Sequence, residues 1–359
     1  MPPFPNPVMA SFMLFTSVHI HDIACALPEE VISSAELEQR LGPLYERLRL
    51  PTGRLELMTG IRERRVWPAG MLPSEASALA GQAVLERTGF DPARIGALFH
   101  CGVCRDCLEP ATATAVHRRL GLSPEVLNFD ISNACLGVLS AMLTAGAMID
   151  QGAIQAALVV TGEQSRPLLD ATLQHLLHDP AITRQSSKNA FASLTIGSAA
   201  AAVLLTHASV APGHRLLGGA SLANTRFNDL CRGTADQGMD GGARPLMQTD
   251  SEELLLRGVE TARDTWAAFK RKLGWNETTP DVVCTHQVGR IHRERLYQAI
   301  GIDPARDFST IETLGNCGSA SLPATVALAE TAGRLRPGMR LAMLGIGSGI
   351  NCTMLGLEW

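Results

Sequence analysis

Asn128-Phe129-Asp130-Ile131-Ser132-Asn133-Ala134-Cys135-Leu136-Gly137 runs from a short strand through a turn of small residues into an Ala-rich helical stretch reaching Gln151. A cysteine placed where a buried helix begins meets backbone N–H groups with no intrahelical partner and the positive end of the helix dipole. Both are expected to lower the thiol pKa and favour the thiolate, the form that attacks a thioester carbonyl. Gly137 and its small neighbours leave room for a substrate channel. The competing reading is a small buried hydrophobe. The strand–turn–helix context alone does not decide between the two.

Outward from this segment, short apolar runs fall at 14–20, 95–101, 127–131, 156–161 and 199–205, and again at 215–221, 282–286, 340–344 and 351–358. Helical stretches at 74–88, 111–120, 135–151, 251–273, 292–299 and 319–331 alternate with them. That alternation predicts an α/β protein with covered sheets. Asn133-Ala134-Cys135-Leu136-Gly137 has a counterpart in Gly315-Asn316-Cys317-Gly318-Ser319-Ala320, each a small-residue turn opening an Ala-rich helix. Each is followed by a strand pair, expected within 194–205 and 343–355. The chain therefore reads as two similar α/β cores, 14–210 and 211–359, joined near 207–214. A proline-bearing extension, 1–13, precedes them, with Met9 and Met13 as alternative starts.

Composition narrows the function classes. With 18% charged residues, 4% aromatics and a net charge of -4, the chain has neither the basic stripe nor the stacking platform of a nucleic-acid binder. No apolar run is long enough for a membrane span, and the first residues lack the basic region of a signal peptide. Nine cysteines in 359 residues, several inside apolar runs, point to reduced thiols and a cytoplasmic setting.

A nucleophilic cysteine needs a base and a group that stabilises developing negative charge. His286 ends the apolar run Val282-Val283-Cys284-Thr285, the place where α/β active sites form; a satisfied strand-end histidine is the alternative. Asn316 lies between glycines, where simple turn chemistry competes. Gly345-Ile346-Gly347-Ser348-Gly349 offers backbone N–H groups for an oxyanion hole. It lacks the lysine and the following helix of a phosphate-binding loop. Cys101, Cys104 and Cys107 share a spacing that could begin a metal site, but no fourth ligand follows, and no metal is expected.

Asn133-Ala134-Cys135, Thr285-His286-Gln287, Gly315 to Pro323 and Gly345 to Gly349 stand in the order and spacing of ketoacyl-ACP synthase III-like enzymes. Over nearly the whole chain, from Leu14 to Trp359, the sequence resembles that group of the thiolase superfamily. It is most similar to the OleA branch, which opens bacterial long-chain olefin biosynthesis. Cys104-Arg105-Asp106-Cys107-Leu108-Glu109-Pro110 and Asn228-Asp229-Leu230-Cys231-Arg232-Gly233 carry that finer likeness. It departs from the branch at Cys104 and Cys107 and in a longer glycine-rich stretch, 234–249. It departs from typical ketoacyl-ACP synthase III in having Val288-Gly289-Arg290-Ile291-His292 after the His-Gln pair.

The resemblance implies a thiolase fold, two duplicated α/β halves in five αβαβα layers, and a homodimer. It implies Cys135, His286 and Asn316 as catalytic residues, and Glu109 as a carboxylate delivered from the neighbouring subunit. The expected reaction is non-decarboxylative condensation of two long-chain acyl-CoAs to a β-keto acid through an acyl-cysteine. An ordinary acyl-CoA has no carboxylate to lose, so a base such as Glu109, its pKa raised in an apolar tunnel, must take the α-proton. The backbone N–H groups of Cys135 and Gly349 would form one oxyanion hole, and His286 with Asn316 a second. Arg62, Arg232 and Arg290, together with Arg64 and Arg65, are candidates for CoA phosphate contacts. Acyl-CoA is expected as substrate with no separate cofactor, and acyl carrier protein or downstream enzymes as further partners. Two rivals are a malonyl-dependent condensing enzyme of fatty-acid or polyketide type and a silent subunit of a mixed dimer.

Overall fold

Alanine- and valine-rich segments, small and apolar on both faces, form the strands at the middle of the sheet, as burial between helical layers requires. The computed structural model describes residues 10–233, 246–286 and 288–359. Its strands in the first half are β1 (Ser11–Leu14), β2 (Val18–Ala26), β3 (Glu30–Ser33), β4 (Glu63–Val66), β5 (Ala97–Cys101), β6 (Leu127–Ile131), β7 (Ala156–Glu163) and β8 (Ala199–His207). Those that follow are β9 (His214–Ala223), β10 (Cys231–Arg232), β11 (Gln248–Thr249), β12 (Val282–Thr285), β13 (Arg340–Gly347) and β14 (Asn351–Glu358).

Two sets share a four-strand order, β5-β7-β8-β2 and β12-β13-β14-β9; β6 extends the first beside β5, and β1 the second beside β9. Each four-strand order begins with a parallel pair, β5 with β7 and β12 with β13. An antiparallel partner follows, β8 or β14, and then β2 or β9 beside it. The sets join through only His19↔Arg215 and Ile20↔His214. The pseudo-repeat expected from the sequence is thus present in the strand order.

Helices complete five layers. Pro73–Thr88 covers β2, β7 and β8 on the outside of the first set. Gly137–Asp150 touches β5, β7 and β8 on one side and β9 and β14 on the other, so it lies between the two sets with Ser321–Thr331. Its composition fits that position: Leu139, Ala141, Met142, Ala145 and Ile149 are all fully buried, and a helix enclosed on all sides must be apolar all round. Ser251–Leu273 covers β9 and β14 from outside, with Arg290–Ile300 packed on it. The Asp250 carboxylate accepts the Glu253 N–H at 3.1 Å and so caps the start of the longer helix; Gly274 in the left-handed region ends it.

The single strand expected at 14–20 is instead two, β1 and β2. Asp150 Oδ1 accepts the N–H groups of Thr16 and Ser17, each at 3.0 Å, and pins a break between them. β1 then pairs with β9, so the chain's first described strand belongs to the second half's sheet. The first half's strand pair, expected within 194–205, is in fact β7 with β8, and Leu194 sits in a helical turn, Ser193–Thr195. Gly197 N–H donates to Asn316 O at 2.9 Å there, which ties the turn to the other half rather than to a strand neighbour. Of the glycine-rich stretch 234–249, only 246–249 lie among the described residues. No helix among the described residues is long and apolar enough to cross a membrane.

Candidate active site

Cys135 stands in a helical turn, Ala134–Leu136, just before the buried helix Gly137–Asp150. Ala134 takes a positive φ of 44°, a conformation costing about 1–3 kcal/mol for a residue with a Cβ. Ser319 holds it there: its hydroxyl donates to Ala134 O at 2.6 Å and accepts the Gly137 N–H at 3.2 Å. Asn133 adds a second tie, donating to Ser140 Oγ at 2.9 Å and accepting from Asn351 Nδ2 at 3.3 Å. Residues from the second half therefore set the geometry of the nucleophile turn in the first.

The thiol opens onto a cavity of about 1550 Å³, which His286, Asn316, Glu163 and Ser348 also line. This exceeds the roughly 300–1,000 Å³ of ordinary small-molecule sites. Leu55 and Met58 form one apolar wall, and Leu254, Leu255, Val259 and Leu296 another.

The electrostatics differ from the sequence expectation. Burial pushes the Cys135 thiol up to about 12, and Glu163 and then Cys231 add to the rise. Hydrogen bonds from the N–H groups of Cys135 and Ser348 oppose it without winning. Backbone N–H groups thus favour the thiolate by less than burial disfavours it. His286, also buried, is lowered to about 4 by desolvation, with neighbouring His292 adding to the shift. At neutral pH the resting pair is thiol and neutral imidazole, so the proton must move as the sulfur attacks. A neutral imidazole is competent to accept it.

His286 follows β12 directly, and its N–H donates to Leu344 O at 2.8 Å. Among the described residues nothing hydrogen-bonds its buried Nδ1. Asn316 is held at both ends of its backbone, its N–H on Thr195 O and its carbonyl on Gly197 N–H, both at 2.9 Å. Its side-chain oxygen accepts the Gly318 N–H at 3.0 Å, which leaves the NH2 end free to donate. Ser348 lies one residue before Gly349 and lines the cavity; Gly349 lies outside that lining.

Sequence reasoning missed Glu163. This carboxylate ends β7, is 4% exposed and lines the cavity. Oε1 accepts the N–H groups of Val103 and Ser319, each at 3.0 Å, and Oε2 that of Cys104 at 3.2 Å. Burial raises its pKa against these bonds. Gly318, at φ 55°, passes so close that a Cβ there would lie 2.8 Å from Oε1. The signal available in the sequence was a carboxylate closing the apolar run 156–161 at a strand's C-terminal end.

Other candidates separate. Arg290 lines the cavity, as do Arg105, Lys188 and Arg293. Arg62 is outside it, paired with Glu312 at 2.7 Å, and Arg232 is an exposed side chain 4.0 Å from Asp229. Arg64 is fully buried, donating to Ile32 O and Ser34 Oγ, and Arg65 donates to Pro28 O. Arg64 therefore cannot reach a solvent-borne phosphate, and Arg65 lies outside the cavity lining. Glu109 is exposed and does not line its own chain's cavity, so the apolar tunnel expected around it is not formed by this chain's described residues. Cys101, Cys104 and Cys107 direct their thiols to Phe99 O, Gln164 O and Glu109 O respectively. They do not converge as metal ligands, and all nine cysteines are free.

Comparison with known proteins places these observations in a family. Residues 129–223 match the profile of 3-oxoacyl-(acyl-carrier-protein) synthase III, and residues 271–359 that of its C-terminal part. An acyl-CoA:acyl-CoA alkyltransferase of Shewanella oneidensis is 42% identical across 97% of this chain and 100% of its own length. The protein of that name from Xanthomonas campestris pv. campestris is 36% identical over 97% and 100%. A solved Xanthomonas campestris OleA variant with bound lauric acid and lauroyl-CoA superposes with a TM-score of 0.91 at 36% identity, covering 96% of this chain and 100% of that one. The chain has the thiolase-like fold of these structures and belongs to the OleA branch of the 3-oxoacyl-(acyl-carrier-protein) synthase III family, the acyl-CoA:acyl-CoA alkyltransferases, as a condensing acyltransferase.

Proposed function

We propose that this enzyme joins two long-chain acyl-CoAs, without decarboxylation, into a β-keto acid. The observation that carries the reading is one continuous cavity holding Cys135, His286 and Asn316 and extending between apolar walls on two sides. The bound lauroyl-CoA of the Xanthomonas relative supports the substrate class.

In the proposed sequence, Cys135 Sγ attacks the thioester carbonyl of the first acyl-CoA as its proton passes to His286. The N–H groups of Cys135 and Ser348, already directed at the sulfur, receive the oxyanion, with Gly349 next in the same turn. The C–S bond to CoA breaks and CoA leaves with the proton. A second acyl-CoA then sets its thioester oxygen against His286 and the Asn316 NH2 group. Glu109 of the partner subunit removes its α-proton. The carbanion attacks the acyl-cysteine carbonyl and expels Cys135 as a thiolate, which takes up the proton held by Glu109, and water then cleaves the remaining thioester to CoA and the β-keto acid. Arg105, Lys188 and Arg290, which line the cavity, are the cations we assign to CoA phosphates.

A homodimer is part of this proposal. β6 is a terminal strand of the sheet, and it exposes Leu127 and Phe129. Val103 and Leu108, on the loop that bears Glu109, are also exposed. A terminal strand beside exposed apolar side chains favours a second copy. The acyl-transfer half is tested by exposing the enzyme to a long-chain acyl-CoA and weighing the intact protein. One acyl group should add to wild type and none to Cys135→Ala. An acylated Cys135→Ala protein overturns the assignment.

A further inference from the structure

Glycine is the poorest interior helix former short of proline, so each one inside a helix needs a physical reason. Two of them have a packing reason. A Cβ at Gly81 would lie 3.1 Å from Leu120 Cδ1, and one at Gly146 only 2.8 Å from Phe15 Cε2. Gly258, inside the helix Ser251–Leu273, is different. Among the described residues a Cβ there would meet a single atom within 4 Å, Ile346 Cγ2 at 3.4 Å, an ordinary contact distance. Among the described residues no protein group requires its side chain to be missing. Gly258 lines the active-site cavity, and Leu254, Leu255 and Val259 on the same helix line it too. Residues 254 and 258, and 255 and 259, lie one above the other at helical spacing. The space kept open at Gly258 therefore belongs to the cavity.

We infer that Gly258 is a specificity-determining residue, leaving room in the apolar wall for the methylene segment of a long, unbranched acyl chain. A larger side chain would fill that room from a rigid helix and displace the distal carbons of the substrate. Shorter chains, which do not extend so far, would lose less. This inference rests on the cavity's being the acyl site.

The test uses full-length wild type, Gly258→Ala and Gly258→Leu, each given decanoyl-CoA or palmitoyl-CoA. Cys135 acylation is read by intact mass and condensed product separately, with thermal unfolding in parallel. Gly258→Ala is expected to unfold at or above the wild-type temperature, since the backbone gains helix propensity and the added Cβ meets only Ile346 Cγ2, at contact distance, among the described residues. The decanoyl-to-palmitoyl ratio of acylation rates should rise on the order of ten-fold in Gly258→Leu, with a smaller rise in Gly258→Ala. An unchanged ratio in a stably folded Gly258→Leu overturns the inference. So does an equal loss at both chain lengths with a lowered unfolding temperature, which would mark an ordinary packing position. Because the ratio is read at acylation, a wild type that is acylated but forms no condensed product defeats the proposed reaction and leaves this test intact.

Discussion

Cys135 and His286 are both buried in their uncharged forms, and the direction of each shift has a consequence that pH can reveal. With the thiol raised to about 12, the thiolate fraction grows about tenfold per pH unit through the neutral and alkaline range. Iodoacetamide should therefore alkylate Cys135 of the free enzyme ever faster up to pH 10, with no plateau near 8. A plateau near neutrality would show a stabilised thiolate. His286, lowered from 6.5 to about 4, stays unprotonated in the folded state where the unfolded chain takes up a proton. Stability supplied by the neutral ring is present above 6.5 and lost as the pH falls towards 4, at about 1.4 kcal/mol per pH unit. Urea unfolding at pH 6.5 and 4.5 should accordingly show a larger loss for wild type than for His286→Leu. Glu163 offers a third residue-level prediction. Glu163→Ala would orphan the N–H groups of Val103, Cys104 and Ser319, costing on the order of 3 kcal/mol. It should also slow acylation through the loosened Ser319, measured as a lowered unfolding midpoint and a reduced acylation rate.

At the scale of elements, legibility followed locality. The turns carrying Cys135 and His286 could be read because each follows a short apolar strand, and that of Asn316 because small residues open a helix, although contacts from the second half fix the final geometry of the Cys135 turn. The strand break at Thr16 and Ser17 could not be read, because it depends on Asp150, far away in sequence. The depressed thiol pKa failed for the same reason. A helix terminus is visible locally, whereas the enclosure that outweighs it is built by elements from both halves. Glu163 likewise gains its role from three N–H donors in separate segments. Helix Ser251–Leu273, which lines the cavity, begins at the Asp250 cap. Asp250→Ala should cost about 1 kcal/mol, visible in denaturant unfolding without a change in chain-length preference.

Across the whole molecule, duplication explains why the site lies where it does. The two helices of the middle layer start at equivalent turns, and those turns present Cys135 from one half and Asn316 from the other to a shared cavity. Glu109 is the one proposed catalytic group outside this arrangement, exposed on its own chain. Replacing it by alanine should leave Cys135 acylation intact while abolishing condensed product. A charge at Phe129 on the β6 edge should weaken the dimer and remove condensation with it, followed by sedimentation and product analysis. The central claim is that condensation needs no carboxylate on the second substrate, and it is tested most directly by giving purified enzyme a long-chain acyl-CoA and no malonyl donor. The account predicts free CoA together with a β-keto acid, or the ketone left when it loses CO2. Acyl-enzyme that accumulates without condensed product until malonyl thioester is added would contradict it.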